Sequence, residues 1–417
     1  MQWRQPIVGG GTVAKRPILA ALDIGTQKVA IVIAEATERG LEILGVGSAL
    51  SRGMKSGRVA DVDTTAQAIG VALSEAELMA GCQIHEVSVA VSGDHIRGTN
   101  SHGVVAVENG EVSTRAARRV IEAAQAVPLP AEQKILHLIC RDYAVDGQGG
   151  IQYPVGLSGV RLEANLHIIS GSESALANIK KCCNKAGLSV GEMLASSLVV
   201  GEAVLEPEER QLGVAIIDLG AGTVDMAIYH GGAVVFSCVI PVAGNHVSMD
   251  LSRVLETSMS EAESLKKHHG CACVDLVERQ ATVEVEGVGG RPPRLIGCKL
   301  VADIIEPRME EILELVREQI VGSGYGEMLA SGVVLTGGSS MMPGVIELAR
   351  RVLDLPARLG EPLSMSGLAE EVDDPSWATV VGLLNGVQSG ELPAAWGNEI
   401  TSKVVPKWLR RRLKELF

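Results

Sequence analysis

Two stretches nearly two hundred residues apart repeat one grammar: ALDIGTQKVAIVIAE, residues 21–35, and GVAIIDLGAGTVDMAIY, residues 213–229. Each passes from an apolar run to an aspartate, through a glycine turn containing threonine, into a second apolar run. That pattern predicts a β-hairpin with buried strands and a turn held tight by glycine. A buried strand ending in Asp, followed by exposed backbone N–H groups, suits a phosphate chain and its divalent cation. Two copies predict a duplicated fold closing on one nucleotide.

In the first turn Gly25 lets the backbone approach phosphate oxygens, Thr26 adds a hydroxyl, Gln27 follows, and Lys28 adds charge. Asp23 is placed to hold metal-bound water, because Mg²⁺ keeps several waters and takes few protein ligands. Taken alone, the segment also fits a plain tight hairpin. The second turn, Asp218 with Gly220, Ala221, Gly222 and Thr223, repeats the arrangement in the same context. Asp225, on the outgoing strand, reads as a structural or hydrogen-bonding residue. A third element, Leu335-Thr336-Gly337-Gly338-Ser339, is a strand, two glycines and then a helix, against whose bare backbone a purine and ribose could lie.

A chain of 417 residues, 46% hydrophobic but only 2% aromatic, predicts about two to four domains of α/β type with Val/Ile-rich mixed sheets. No apolar run approaches the roughly 18–20 residues that span a bilayer. Residues 1–16 lack a continuous apolar segment and read as a leader before the first strand, not a secretory signal. The eight cysteines follow no disulfide framework and read as reduced thiols. HHGCAC, residues 268–273, departs from zinc-site spacing and reads as a helix end capped by Gly270.

Charge is uneven. The formal net charge is −13, yet residues 403–417 hold six Lys/Arg and one acid, leaving −18 on the preceding body. An acidic body argues against nucleic-acid binding, and a basic end reads as an interaction tail. In VVPKWLRRRLKELF, Val405, Trp408, Leu409, Leu413, Leu416 and Phe417 share one face of a helix. Lys407, Arg410, Arg411 and Lys414 take the other face, and Arg412 lies within the apolar arc, where it can snorkel. Such a helix suits an anionic membrane surface; docking on its own domain or on a partner is the alternative. Residues 388–402 lack apolar period and read as a linker. Elsewhere the pattern predicts a helix from Asp63, capped by Asp61 or Asp63 and ended by Gly81. A compact insert over 86–168 is expected to begin with a strand near 87–92, and a long helix to run from about Lys299 to Val321.

The three glycine elements together resemble the actin, sugar-kinase and heat-shock-chaperone ATPase superfamily. Within it the chain is most similar to the FtsA family of bacterial cell-division proteins, from about residue 17 onward. GLSGVRLEANLHII (156–169), VIPVAGN (239–245), EAESLKKHHGCA (261–272), GGRPPR (289–294) and IIEPR (304–308) carry that similarity. The resemblance implies an actin-like two-lobed fold: 17–85 with 169–211, an inserted subdomain 86–168, 212–250 with 330–387, an upper subdomain 251–329, the linker, and a membrane-targeting helix 403–417. It implies ATP and Mg²⁺ as cofactors, with Asp23 and Asp218 organising magnesium and its water. Gly25 to Lys28 and Gly220 to Thr223 would take the phosphates, and Gly337, Gly338 and Ser339 the adenosine. Glu263 and Lys266, on one helical face, would reach base and ribose; without the family they read equally as a surface ion pair.

Ala221 departs from the Gly or Asp usual at that point of the second turn. Leu194-Ala195-Ser196-Ser197 carries none of the Gln or Glu that orients water in hydrolytic relatives, and Glu202 lies further along. ATP turnover is therefore expected to be slow at most. The family further implies filament formation by self-association, with the insert taking part in the contacts. It implies attachment of the polymer-forming protein FtsZ, through its C-terminal peptide, to the cytoplasmic face of the inner membrane at the septum, and recruitment of other division proteins. Glu306, Arg308 and Glu310 are the residues chosen for the FtsZ contact; a solvated helix face is the plain alternative. A small-molecule kinase and a pilus-assembly actin-like adaptor are the other functions the same core could serve.

Overall fold

The computed structural model describes residues 17–38, 40–363 and 365–390. The expected leader, most of the linker and the helix over 403–417 lie outside the described residues.

The first hairpin forms as its sequence dictates. Strands Ile18–Ile24 and Lys28–Thr37 pair antiparallel from Ile18↔Glu35 to Ile24↔Val29, and Gly40–Leu50 adds a third antiparallel strand. Glu86–Val91 lies parallel to the other side of Ile18–Ile24, and Ser189–Ala195 lies parallel to it in turn. The short strand Ser366–Gly367 completes a six-stranded mixed sheet. Here the strand pairing differs from the expected division at residue 86: Glu86–Val91 belongs to this first sheet, not to the insert. A short apolar strand carries no mark of which sheet it joins until its partners are known. Helix Val62–Ala80 packs over the sheet; Asp61 caps it by accepting from the Thr64 N–H at 2.8 Å, and Gly81 ends it with φ 65°.

The second hairpin, Val214–Leu219 with Val224–His230, nucleates a five-stranded sheet of the same plan. Ala233–Ile240 pairs antiparallel outside it, while Val333–Thr336 and then Ala357–Leu359 run parallel on the other side. Every residue of Val214–Leu219 is buried, the mark of a strand covered on both faces. Its register puts Thr336, Asp218 and Asp225 on one rung. Helices Ser196–Val204 and Ala378–Ser389 pack between the halves; the Tyr229 hydroxyl donates to Leu198 O at 3.2 Å, tying the second sheet to that joint. Residues 388 and 389, assigned to the linker from sequence, still belong to this last helix, which ends at Gly390 with φ 58°.

The insert has its own four-stranded antiparallel sheet, Arg97–Ala106, Arg161–Ser172, Gln133–Val145 and Gln148–Ile151, covered by helix Thr114–Gln125 over a separate core. Above the second sheet, helices Gly244–Val254, Met259–His269 and Cys298–Ser323 pack with the ribbon Thr282–Val285/Arg294–Gly297. No helix among the described residues is long and apolar enough to cross a membrane.

Candidate functional site

The two hairpin turns close by the same bond. Gly25 N–H donates to Lys28 O at 3.0 Å, and Gly220 N–H donates to Thr223 O at 3.1 Å. They meet face to face across the cleft between the halves. A Cβ added to Gly222 would stand 2.2 Å from Thr26 Oγ1, so only glycine allows the approach. Between them opens a cavity of about 720 Å³. It is lined by both turns from Asp23 to Lys28 and from Gly220 to Thr223, by Asp218, by Glu263 and Lys266, and by Gly337, Gly338 and Ser339. The structure thus gathers all of the residues that the sequence reading chose for phosphate, metal and adenosine around one space.

The third turn divides its work between two glycines. Gly337 has φ 84° and ψ 163°, and a Cβ there would fall 2.1 Å from Asp218 Oδ1. Only glycine occupies such backbone comfortably. Gly338 is different: its nearest protein neighbour would be Ser376 Cβ at 3.8 Å, and it faces the cavity. Ser339 Oγ donates to Gly220 O at 2.9 Å, bracing the second turn against the third.

Glu263 and Lys266 are no surface pair. Lys266 Nζ lies 2.6 Å from Glu263 Oε2, with side-chain exposures of 6% and 17%. Lys266 also donates to Gly244 O at 3.1 Å, and Ser248 Oγ donates to Glu263 at 2.5 Å. The Gln27 side chain bonds the same carboxylate, so the pair joins the first turn to the upper helices. Lys28 reaches across to Ser376, donating to its O and Oγ at 3.1 and 3.0 Å, and sits 3.8 Å over the Trp377 ring.

Carboxylates dominate the electrostatics. Burial pushes Asp23 up to about 7, with the nearby Asp218 adding to the shift and Lys28 opposing it. Burial raises Asp218 to about 6 against the Thr379 hydroxyl, which donates to it at 2.9 Å. Asp225 rises to about 7, again mainly by burial, although Ser92 and Thr223 donate to its Oδ2 at 2.6 and 3.0 Å. Its other oxygen, Oδ1, is buried without a partner. Three buried carboxylates, each disfavoured in its charged form by burial, fit a divalent cation accompanying its anion. Among the described residues no three His, Cys, Asp or Glu side chains form a direct metal cage.

A raised carboxyl pKa means that the folded state binds protons more tightly than the unfolded one, so its stabilising contribution is lost as pH rises from about 4 to about 7. His95 and His167, depressed by burial to about 4 and about 3, act in the opposite direction up to about 6.5. The comparison with Asp225→Asn isolates the carboxylate. The ligand-free variant should gain ~1 kcal/mol or more over the parent between pH 5 and pH 8 in denaturant melts. A constant difference across that range would refute the buried-charge account.

Ser92, Ser376 and Thr379 also line the cavity and were not singled out from sequence. They stand at strand ends and helix starts without a repeated motif, and only the fold brings them in. At the Ala195–Ser196 junction the cavity wall is a serine; Glu202 is tied to Arg210 at 2.8 Å and lies outside the lining. The HHGCAC cysteines are engaged locally: Cys271 Sγ donates to Cys273 O and Cys273 Sγ to Gly344 O, at 3.1 and 3.3 Å. Gly270 does end its helix, but in extended conformation with φ −72°.

The three residues chosen for a partner contact do not share a free surface. Glu306 accepts from Val274 N–H at 2.6 Å and pairs with Arg351. Arg308, a quarter exposed, pairs with Asp250 at 2.5 Å and with Glu311, clamping helix Cys298–Ser323 to Gly244–Val254. Glu310 is exposed.

The profile of the family described as Cell division protein FtsA matches residues 215–382, and that of the SHS2 domain inserted in FTSA matches residues 93–170. The second match begins after Glu86–Val91, in keeping with the strand pairing. The chain is 42% identical to the Cell division protein FtsA of Pseudomonas aeruginosa, across 88% of each chain. It is 40% identical to that of Escherichia coli K12, across 95% of this chain and 96% of the other. Among solved structures, the PilM-PilN type IV pilus biogenesis complex aligns with TM-score 0.63 at 17% identity, over 88% of this chain and 97% of that one. MreB5 of Spiroplasma citri bound to ADP aligns with TM-score 0.57 at 15% identity, over 90% and 97%. These two share the fold.

Proposed function

Because this chain belongs to the FtsA family of cell division proteins, we propose that it is an actin-like ATP-binding protein that self-assembles and tethers FtsZ polymers to the inner membrane at the septum, where it recruits later division proteins. The observation that carries the reading is the convergence of two matched glycine turns and a third on one carboxylate-rich cavity. The backbone N–H groups of Gly25 to Lys28 and Gly220 to Thr223 would hold phosphate oxygens. Asp23 and Asp218 would hold magnesium through its waters, supplying the positive charge that these buried carboxylates lack. Gly337 and Gly338 would face adenosine, and the Glu263–Lys266 pair the ribose and base.

Turnover should be slow. No Gln or Glu stands at the Ala195–Ser196 junction to orient water, and a positioned acid–base group is worth typically 10²–10⁴-fold. Equilibrium titration with a fluorescent ATP analogue, alongside phosphate release, tests both halves: tight magnesium-dependent binding with slow release is expected. Absence of binding would sink the reading, and turnover at about tens per second would sink the slow-switch part.

The contact with the FtsZ C-terminal peptide is proposed for helix Cys298–Ser323, which carries Glu306, Arg308 and Glu310 on different sides, with Arg308 as the residue tested. Arg308→Glu should weaken peptide binding while sparing ATP. Because the substitution also sets Glu against Asp250, it should lower stability by ~1–3 kcal/mol. Asp250→Asn provides the control, since it loosens the clamp and keeps the guanidinium. Equal weakening by both would reduce Arg308 to a structural role.

A further inference from the structure

Another cavity among the described residues, about 790 Å³, lies away from the cleft between the two hairpin turns, at the outer edge of the first sheet. One wall is the turn before strand Gly40–Leu50, with Glu38, Leu41 and Glu42; another is the segment carrying Leu363 and Met365; Gln388 of the last helix closes it. Its described lining residues hold two carboxylates, several apolar side chains and no Lys or Arg.

We propose that this groove is the docking site of the chain's own basic terminal segment, residues 403–417, so that membrane binding competes with an intramolecular contact. The proposal rests on the reading of that segment as a membrane-binding amphipathic helix.

Three observations select this occupant. The first is position. Gln388 lines the groove two residues before the described chain ends, and the basic segment starts fifteen residues after it. That length reaches at most ~3.3–3.6 Å per residue, or about 50 Å, so the groove lies well within range. The second is charge. The segment carries six Lys/Arg against one acid, while the charged residues described in the groove lining are Glu38 and Glu42; Arg39, between Glu38 and Gly40 in the sequence, lies outside the described residues. The third is the mixture of surfaces. Leu363 and Met365 beside Glu38 and Glu42 offer apolar and anionic groups side by side. Trp408 and Leu409 beside Arg410 and Arg411 present the complement, the same combination that an anionic bilayer would take.

One apolar face cannot serve both surfaces at once. A tethered segment meets its groove at an effective concentration in the mM range, so even a weak contact holds an appreciable fraction docked. Apparent membrane affinity is then reduced by the undocked fraction. Lipid, or an assembly presenting many tails together, would draw the segment out.

Hydrogen–deuterium exchange on the full chain, at low concentration and without lipid, tests the proposal. Residues 403–417 should exchange more slowly than an unstructured peptide of the same sequence, and the protection should fall as salt screens the contact. Glu38→Gln combined with Glu42→Gln should remove that protection, leave exchange in the core strands unchanged, and raise apparent affinity for anionic vesicles several-fold. A segment 403–417 that exchanges freely in the parent overturns the proposal, as does protection indifferent to the two substitutions. Protection that grows with protein concentration assigns the groove to the tail of a second copy and overturns the intramolecular form. Parent flotation with anionic vesicles is measured in parallel: if it persists while protection is absent, only the docking fails. If flotation is itself absent, the membrane reading fails.

Discussion

Gly338→Asp is expected to lower ATP affinity by at least about a hundredfold while the nucleotide-free protein melts as the parent does. A hundredfold loss is about 2.7 kcal/mol. Two like charges about 4 Å apart at an effective dielectric near 20 repel by roughly 4 kcal/mol, so one added carboxylate near the phosphates suffices. The cavity already holds Asp23, Asp218 and Asp225, all raised by burial, and of its lysines Lys266 is paired with Glu263. The fold should not suffer, because no protein atom comes closer than 3.8 Å to a Cβ at this position. The adjacent glycine should behave in the opposite way. Gly337→Ala drives a methyl to within 2.1 Å of Asp218 Oδ1 from backbone at φ 84°. It should destabilise the second half by ~3 kcal/mol or more, with or without ligand. The pair of melts and titrations distinguishes a ligand-facing glycine from a structural one. Unchanged binding by Gly338→Asp would remove the third turn from the site.

Deletion of residues 403–417, or Trp408→Glu alone, is expected to abolish flotation with anionic vesicles and leave ATP binding intact. Burying each large side chain is worth about 1.5–3 kcal/mol, and ordering the helix takes back part of it. A single copy therefore binds reversibly, and a charge on its most apolar residue should eliminate the margin. Assembly would restore retention through avidity, so the assay uses protein below the assembly concentration. A truncated chain that still floats would place the membrane contact elsewhere.

The duplicated hairpins were legible from sequence because their information is local. Ile18–Ile24 and Val214–Leu219 are apolar runs ended by an Asp and a glycine turn, and both form as their residues dictate. The cap at Asp61 and the stop at Gly81 are local too. What sequence could not show is long-range. Glu86–Val91 joins the first sheet only because Ile18–Ile24 and Ser189–Ala195 offer their edges. Ser92 reaches Asp225 across 133 residues, and Thr379 reaches Asp218 across 161. Neither carries a motif. The Glu263–Lys266 pair shows the same limit, since i,i+3 spacing fixes a shared helix face but not that the face is buried beneath Ser248 and Gly244. Arg308 shows it as well: the resemblance pointed to it as a partner contact, and the sequence does not reveal that Asp250 on the neighbouring helix pairs with it.

Co-sedimentation of FtsZ polymers with anionic vesicles, in the presence of the full chain and ATP, tests the tether most directly. The account predicts that FtsZ pellets with vesicles only when this protein carries residues 403–417 and an intact Gly338, and that omitting nucleotide weakens recovery. FtsZ recovered equally with the chain lacking 403–417, or left in the supernatant beside a membrane-bound full chain, would contradict it.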